Sequence, residues 1–148
     1  MGAVTYPNVA VAALLDEAFI PVQVNLDHAA KLANRYQVLW TPNINILNHR
    51  EQLICHVEGW ISPSEFSAWL TLGRGHFQLR RKDFEAAITF FQRTFDHYPQ
   101  SEWAPEALYY VAVAKYLASH EAEKLVQGWE TLRRYYPHSS WSMRANVL

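Results

Sequence analysis

The sequence predicts an α/β segment followed by an all-α segment. Apolar residues alternate with period two in three runs before residue 62, and after Gly59 only helical spacing persists. The helical part also repeats itself. Tyr98-Pro99-Gln100-Ser101-Glu102-Trp103 recurs as Tyr136-Pro137-His138-Ser139-Ser140-Trp141, 38 residues later. At the same offset Phe91 aligns with Trp129 and Ala107 with Ala145. An aromatic helix end, Tyr-Pro, a Ser cap, Trp and a new helix describe helix pairs stacked in a short solenoid.

Each element follows from local signals. Val9 to Phe19 reads as a helix with Val11, Leu14, Leu15 and Phe19 on one side. Phe19–Leu26 alternates, Val22, Val24 and Leu26 sharing a face, and predicts a first strand. Asp27 is placed to cap a second helix carrying Leu32 and Tyr36. Asn43–Leu47 and Leu53–Val57 predict a hairpin, because Asn48-His49-Arg50-Glu51 between them has turn composition. Ser62-Pro63-Ser64-Glu65 is a capping box with proline at the first helical position, opening a helix that runs to about Arg80. Further helices are predicted over 83–97, 105–119 and 121–135, the first stopped by Tyr98-Pro99 and the last by Pro137. Another begins at Ser139.

Composition narrows the function classes. The chain has 148 residues, of which 50% are hydrophobic and 14% aromatic, with six tryptophans, so wholesale disorder is excluded. Thirteen Lys+Arg against fourteen Asp+Glu, spread along the chain, give no electrostatic case for nucleic acid or an anionic membrane. No apolar run approaches the ~18 residues of a membrane span. The first six residues lack the basic and apolar regions of a signal peptide, and the expected location is cytoplasmic.

Phe19-Ile20-Pro21-Val22-Gln23-Val24-Asn25-Leu26-Asp27, a helix ending Arg35-Tyr36-Gln37-Val38, Trp40-Thr41-Pro42, and a hairpin closing on Val57-Glu58-Gly59-Trp60 together resemble a thioredoxin. More narrowly, the chain resembles thioredoxin-like proteins with appended tetratricopeptide-like helices, although a 38-residue spacing exceeds the usual ~34 of that repeat. The resemblance implies an incomplete thioredoxin-like unit of three strands and flanking helices over residues 1–70, and helical hairpins over 71–148. It implies a cis peptide bond at Thr41-Pro42, with Trp40, Thr41 and Pro42 beside an extended substrate peptide. Gly59 matches the glycine after the last strand of that fold. The Cys-x-x-Cys pair of the family is missing. Ala3–Asn8 resembles the stretch just after it, so the chain is expected to begin downstream of the redox motif.

Cys55 is the only thiol, and a dithiol–disulfide cycle needs two. On alternation it shares a face with Leu53 and Val57 and reads as a small buried hydrophobe. Histidines 28, 49, 56, 76, 97, 120 and 138 include no i, i+4 pair, so no metal site is expected. Glu102, Glu106, Glu121 and Glu123 read as helix-start carboxylates. No catalytic residue and no cofactor are expected. Of the many aromatics in the helical half, Phe90, Tyr109, Tyr110 and Tyr135 are the candidate interaction surface, since neighbours ~100° apart on a helix do not share one seam. The expected function is a non-catalytic module binding a protein or peptide partner. The alternative is the C-terminal portion of a thiol–disulfide oxidoreductase. Strand edges left open in the α/β unit predict a homodimer or higher oligomer.

Overall fold

The structure, a computed structural model, describes residues 1–146; residues 147–148 of the expected helical region lie outside it. The chain divides into two compact units, Met1–Pro63 and Ser64–Leu148. The sequence places this boundary after residue 70. It falls earlier because one continuous helix begins at Pro63, and residues 66–72 are already buried within it.

In the first unit, α1 (Val9–Ala18) starts where the Asn8 side chain accepts hydrogen bonds from the N–H groups of Ala10 and Val11 at 3.0 and 3.3 Å. Val11 is its buried residue. A 3₁₀ turn over Leu26–His28 and a short α2 (Ala30–Arg35) precede the antiparallel pair β1 (Asn43–Leu47) and β2 (Leu53–Glu58). Asn43 faces Glu58 and Ile46 faces Cys55, with a register shift before Leu47↔Leu53. The turn between the strands is built on Asn48, whose side-chain oxygen accepts from the N–H groups of Arg50 (2.9 Å) and Gln52 (3.0 Å). Arg35 pairs with Glu51, and the Tyr36 hydroxyl donates to the Glu51 carbonyl at 3.3 Å, which ties α2 to this turn. The buried Thr5 hydroxyl donates to the Ile61 carbonyl at 2.8 Å and holds the start of the unit to its end.

Three expectations for this unit are corrected. The sheet of the described residues has two strands, because the alternating segment 19–26 forms none. Alternation shows that a segment suits a pleated, half-buried surface, but a strand exists only with a ladder partner. Here residues 20–25 are all exposed. Asp27 caps no helix: Asn25 accepts from the Asp27 N–H at 2.9 Å to start the 3₁₀ turn, and α2 has no side-chain cap. Cys55 is half-buried and not a core residue, and Leu53 is exposed. The buried positions of the hairpin are Ile46, opposite Cys55, and Ile54, on the other face of β2.

The second unit is helical: α3 (Pro63–Arg80), α4 (Phe84–His97), α5 (Ala104–Ser119), α6 (Ala122–Tyr135) and α7 (Ser140–Arg144). Asp83 caps α4 by accepting from the Ala86 N–H at 3.2 Å, and Ser139 caps α7 by accepting from the Ser142 N–H at 3.0 Å. Glu65 of the expected capping box also reaches forward. Its carboxylate accepts from the Ser101 hydroxyl (2.7 Å) and the Glu102 N–H (3.2 Å), fixing the start of α5 against the start of α3.

The 38-residue period is present in the backbone. Lys82, between α3 and α4, and His120, between α5 and α6, both take left-handed conformations, with φ of 62° and 60°. Tyr98 and Tyr136 end α4 and α6 with φ of −132° each and ψ of 53° and 60°. The N–H of Ser101 then donates to the Tyr98 carbonyl at 3.0 Å, and that of Ser139 to the Tyr136 carbonyl at 3.1 Å.

Packing follows the same order, α5 lying against α4, α6 and α7. One core cluster joins Leu72, Ala87, Phe91, Ala107, Val111 and Ala114, and the next joins Leu108, Ala112, Trp129, Leu132 and Ala145. The aligned residues Phe91 and Trp129 are thus equivalent knobs of consecutive layers, as are Ala107 and Ala145. Small residues permit the close approach: a Cβ on Gly75 would lie 2.6 Å from the Phe91 ring, and one on Gly128 would meet the Cβ of Ala112.

Candidate functional site

In the helical unit α3, α5 and α7 are the leading helices of successive pairs, and their side chains build one continuous run of rings. His76 on α3 meets Glu106 on α5, Nε2 to Oε1, at 2.8 Å, with only 13% and 17% of the two side chains exposed. The His76 ring stands edge-on to Tyr110 (4.6 Å between centroids) and to Phe91 (5.1 Å). Tyr110 stacks on Phe91 at 5.6 Å and meets Trp141 of α7 edge-on, also at 5.6 Å. Tyr109 stacks on Trp129 at 5.0 Å and tilts against Trp141 at 5.1 Å. Arg144 lies 4.3 Å over the Trp141 ring, one helical turn along α7.

Burial pushes the Tyr110 hydroxyl above the usual tyrosine range, and the charges of Glu106 and then Tyr109 add to this; Arg144 and Arg80 act against it. The Trp129 indole N–H is buried and has no acceptor among the described residues. Half-buried rings bordered by cations present π faces, a hydroxyl and guanidinium donors together, the combination that carries most of the energy in protein interfaces.

The candidate residues do not form a single patch. Tyr109 and Tyr110 are half-buried and lie in the ring run, 5.4 Å apart. Phe90 lies elsewhere, under the guanidinium groups of Arg74 (4.2 Å) and Arg93 (5.7 Å). Tyr135 is exposed and stands edge-on to Phe95 at 5.2 Å. The sequence missed His76, Glu106, Trp141 and Arg144 as members of the run. Glu106 does occupy the first turn of α5, as expected, but its partner is 30 residues away and no local spacing announces it. The 38-residue offset was the available signal, since it aligns Trp103 with Trp141 and Glu106 with Arg144.

In the first unit, Trp40 and Thr41 are exposed and Pro42 is half-buried at the start of β1. The Thr41-Pro42 bond is cis, as the resemblance implies. The Gly59 N–H donates to the Pro42 carbonyl at 2.8 Å, just beyond the Asn43↔Glu58 pair that ends the ladder. No group of three or more His, Cys, Asp or Glu that could hold a metal ion occurs among the described residues. No helix among them is long and apolar enough to cross a membrane. No family model, no curated protein and no solved structure matches the chain.

Proposed function

We propose that this chain is a non-catalytic protein–protein interaction module, a thioredoxin-like α/β fragment followed by helix pairs of the tetratricopeptide type. The observation that carries the reading is the ring run across α3, α5 and α7, in which His76, Tyr110, Tyr109 and Trp141 succeed one another at 4.6–5.6 Å. Leading helices of a solenoid line its binding surface, and a run that crosses three of them matches an extended peptide better than a compact ligand. Supporting it, the period of 38 residues holds in turn conformation as well as in sequence.

Selection of a displayed peptide library on the full chain tests this. Enriched peptides are expected to bind with micromolar affinity and to lose at least about tenfold when Tyr110 or Trp141 is replaced by alanine. Failure to enrich any peptide, or enrichment indifferent to both substitutions, overturns the proposal.

A second reading is a C-terminal portion of a thiol–disulfide oxidoreductase. The exposed Trp40-Thr41 pair beside Pro42 favours it, because a backbone presented at the head of an edge strand is where an extended substrate would lie. The discriminating observation is the coding sequence upstream of Met1. An in-frame Cys-x-x-Cys there favours the enzyme, and the present chain, with one cysteine, is expected to be inert in insulin reduction.

A further inference from the structure

The segment between α1 and the 3₁₀ turn has strand composition and no ladder partner. Phe19 (φ −134°, ψ 159°) and Asn25 (φ −83°, ψ 118°) are extended at its two ends. Among the described residues, positions 20–24 make no hydrogen bond. The side chains are as open as the backbone: Ile20 is 92% exposed, Val22 76% and Val24 42%. No charge lies between Glu17 and Asp27. An uncharged, apolar segment that is extended at both ends and makes no backbone hydrogen bond between them is a template for pairing with another strand.

The sequence of the segment selects its partner. In an extended chain Ile20, Val22 and Val24 share one face, and their N–H and C=O groups share one edge. Pro21, which has no N–H to offer, lies on the opposite edge with Gln23. The stripe is symmetric about Val22. An antiparallel copy centred there sets Val22 against Val22 and Ile20 against Val24, apolar on apolar at each pair. Each of those pairs exchanges both backbone bonds, and Pro21 falls at a position where the ladder asks nothing of it. That is an isologous two-fold contact, in which one patch serves both molecules.

A two-stranded ribbon is marginal by itself in water and needs further apolar cover. The same unit exposes Val9, Leu39, Trp40 and Trp60, at 84%, 89%, 70% and 63%. A standard interface takes about 800 Å² per partner, more than three side chains supply, so these residues are the further apolar cover the unit has to offer.

We infer that a second copy of this chain occupies the segment, giving a homodimer through antiparallel pairing of residues 19–25 about Val22. The contact lies in the Met1–Pro63 unit and does not rest on the peptide-binding role of the helical one. Sedimentation of the full chain at micromolar concentration tests it, together with Val22→Lys, which sets two like charges opposite each other at the two-fold. The expected results are twice the monomer mass for the parent chain and a dissociation constant raised on the order of 100-fold in the variant, with unchanged far-UV circular dichroism. Should Val22→Lys lose its fold, Val22→Cys in a Cys55→Ser background decides. It is expected to cross-link quantitatively with a short bismaleimide at concentrations where Cys55→Ser alone does not. A parent chain that stays monomeric overturns the inference. So does a dimer that Val22→Lys leaves intact, or a Val22→Cys chain that fails to cross-link.

Discussion

Phe91, Leu132, Ala87, Ala107, Ala112 and Ala145 are all at 0% exposure in the helical unit, where large knobs alternate with alanines in consecutive layers. In Met1–Pro63 only Thr5 and Val11 reach that value, and Ile46, Ile54 and Ile61 complete its buried set. The difference is one of contact distance along the chain. Helix pairs bury their faces against neighbours a few tens of residues away, and each turn of the repeat brings the next layer with it. A two-stranded hairpin with one helix and two short helical turns has fewer faces to close, and its remaining apolar side chains stay in water. The helical unit holds most of the fully buried side chains, whereas the first unit leaves Val9, Ile20, Leu39, Trp40 and Trp60 largely exposed.

The largest expected effect measures that contrast directly. Phe91→Ala removes a ring from the centre of a core layer and should cost about 3–5 kcal/mol. Leu39→Ala, at an exposed position of the other unit, should stay within about 0.5 kcal/mol. Urea denaturation followed by tryptophan fluorescence checks both. Equal costs would mean that the two units do not differ in packing.

Sequence reasoning recovers the helical unit nearly to the residue, because its signals are local. Pro63 at the head of α3 and Tyr-Pro after α4 and α6 each act within one turn of the backbone they control. The hairpin is legible for the same reason, through Asn48 and its turn. What was not legible depends on partners far along the chain. Residues 19–26 have strand composition, but whether a neighbour pairs with them is decided elsewhere. His76 reads as a solitary histidine until α5 brings Glu106 to it. Lys82 and His120 escape notice because neither is glycine, the residue by which left-handed turns are usually recognised.

A middle-sized effect comes from pH. The Tyr110 hydroxyl titrates higher in the folded chain than its unfolded value of about 10, burial being the first cause. A raised value means the neutral form is favoured on folding. That stability is fully present below pH ~10 and is lost as pH rises through the folded value. Tyr136 is shifted the same way by burial and then by Tyr135, and Tyr6 of the first unit by burial alone. The urea midpoint should therefore fall above pH ~10, and Tyr110→Phe should fall less steeply than the parent. Parallel profiles would remove Tyr110 from the account.

The smallest effect tests whether the two helix pairs are copies of one unit in energy as well as in shape. Lys82 and His120 hold φ of 62° and 60° at turns 38 residues apart. A left-handed conformation costs a residue with a Cβ about 1–2 kcal/mol. Glycine avoids that cost but gives up about 0.5–1 kcal/mol more chain entropy on folding. The net for either Lys82→Gly or His120→Gly is a gain of about 0.5–1 kcal/mol. Equivalent turns require equal gains, and separate turns require that the double variant sum the two. The His120 N–H donates to Tyr116 at 2.7 Å as the last bond of α5, and the Lys82 N–H to Leu79 at 3.0 Å after α3, so both substitutions leave a backbone bond in place. The caps differ, since Asp83 accepts from a backbone N–H at the start of α4, while the Glu121 side chain caps no backbone N–H of α6 and accepts from Lys124 Nζ at 3.0 Å instead. If that difference reaches the turn, the two gains diverge and the repeat is one of backbone geometry alone. If they agree within about 0.3 kcal/mol, the turn is an independent part of a repeating unit, and the caps are additions to it.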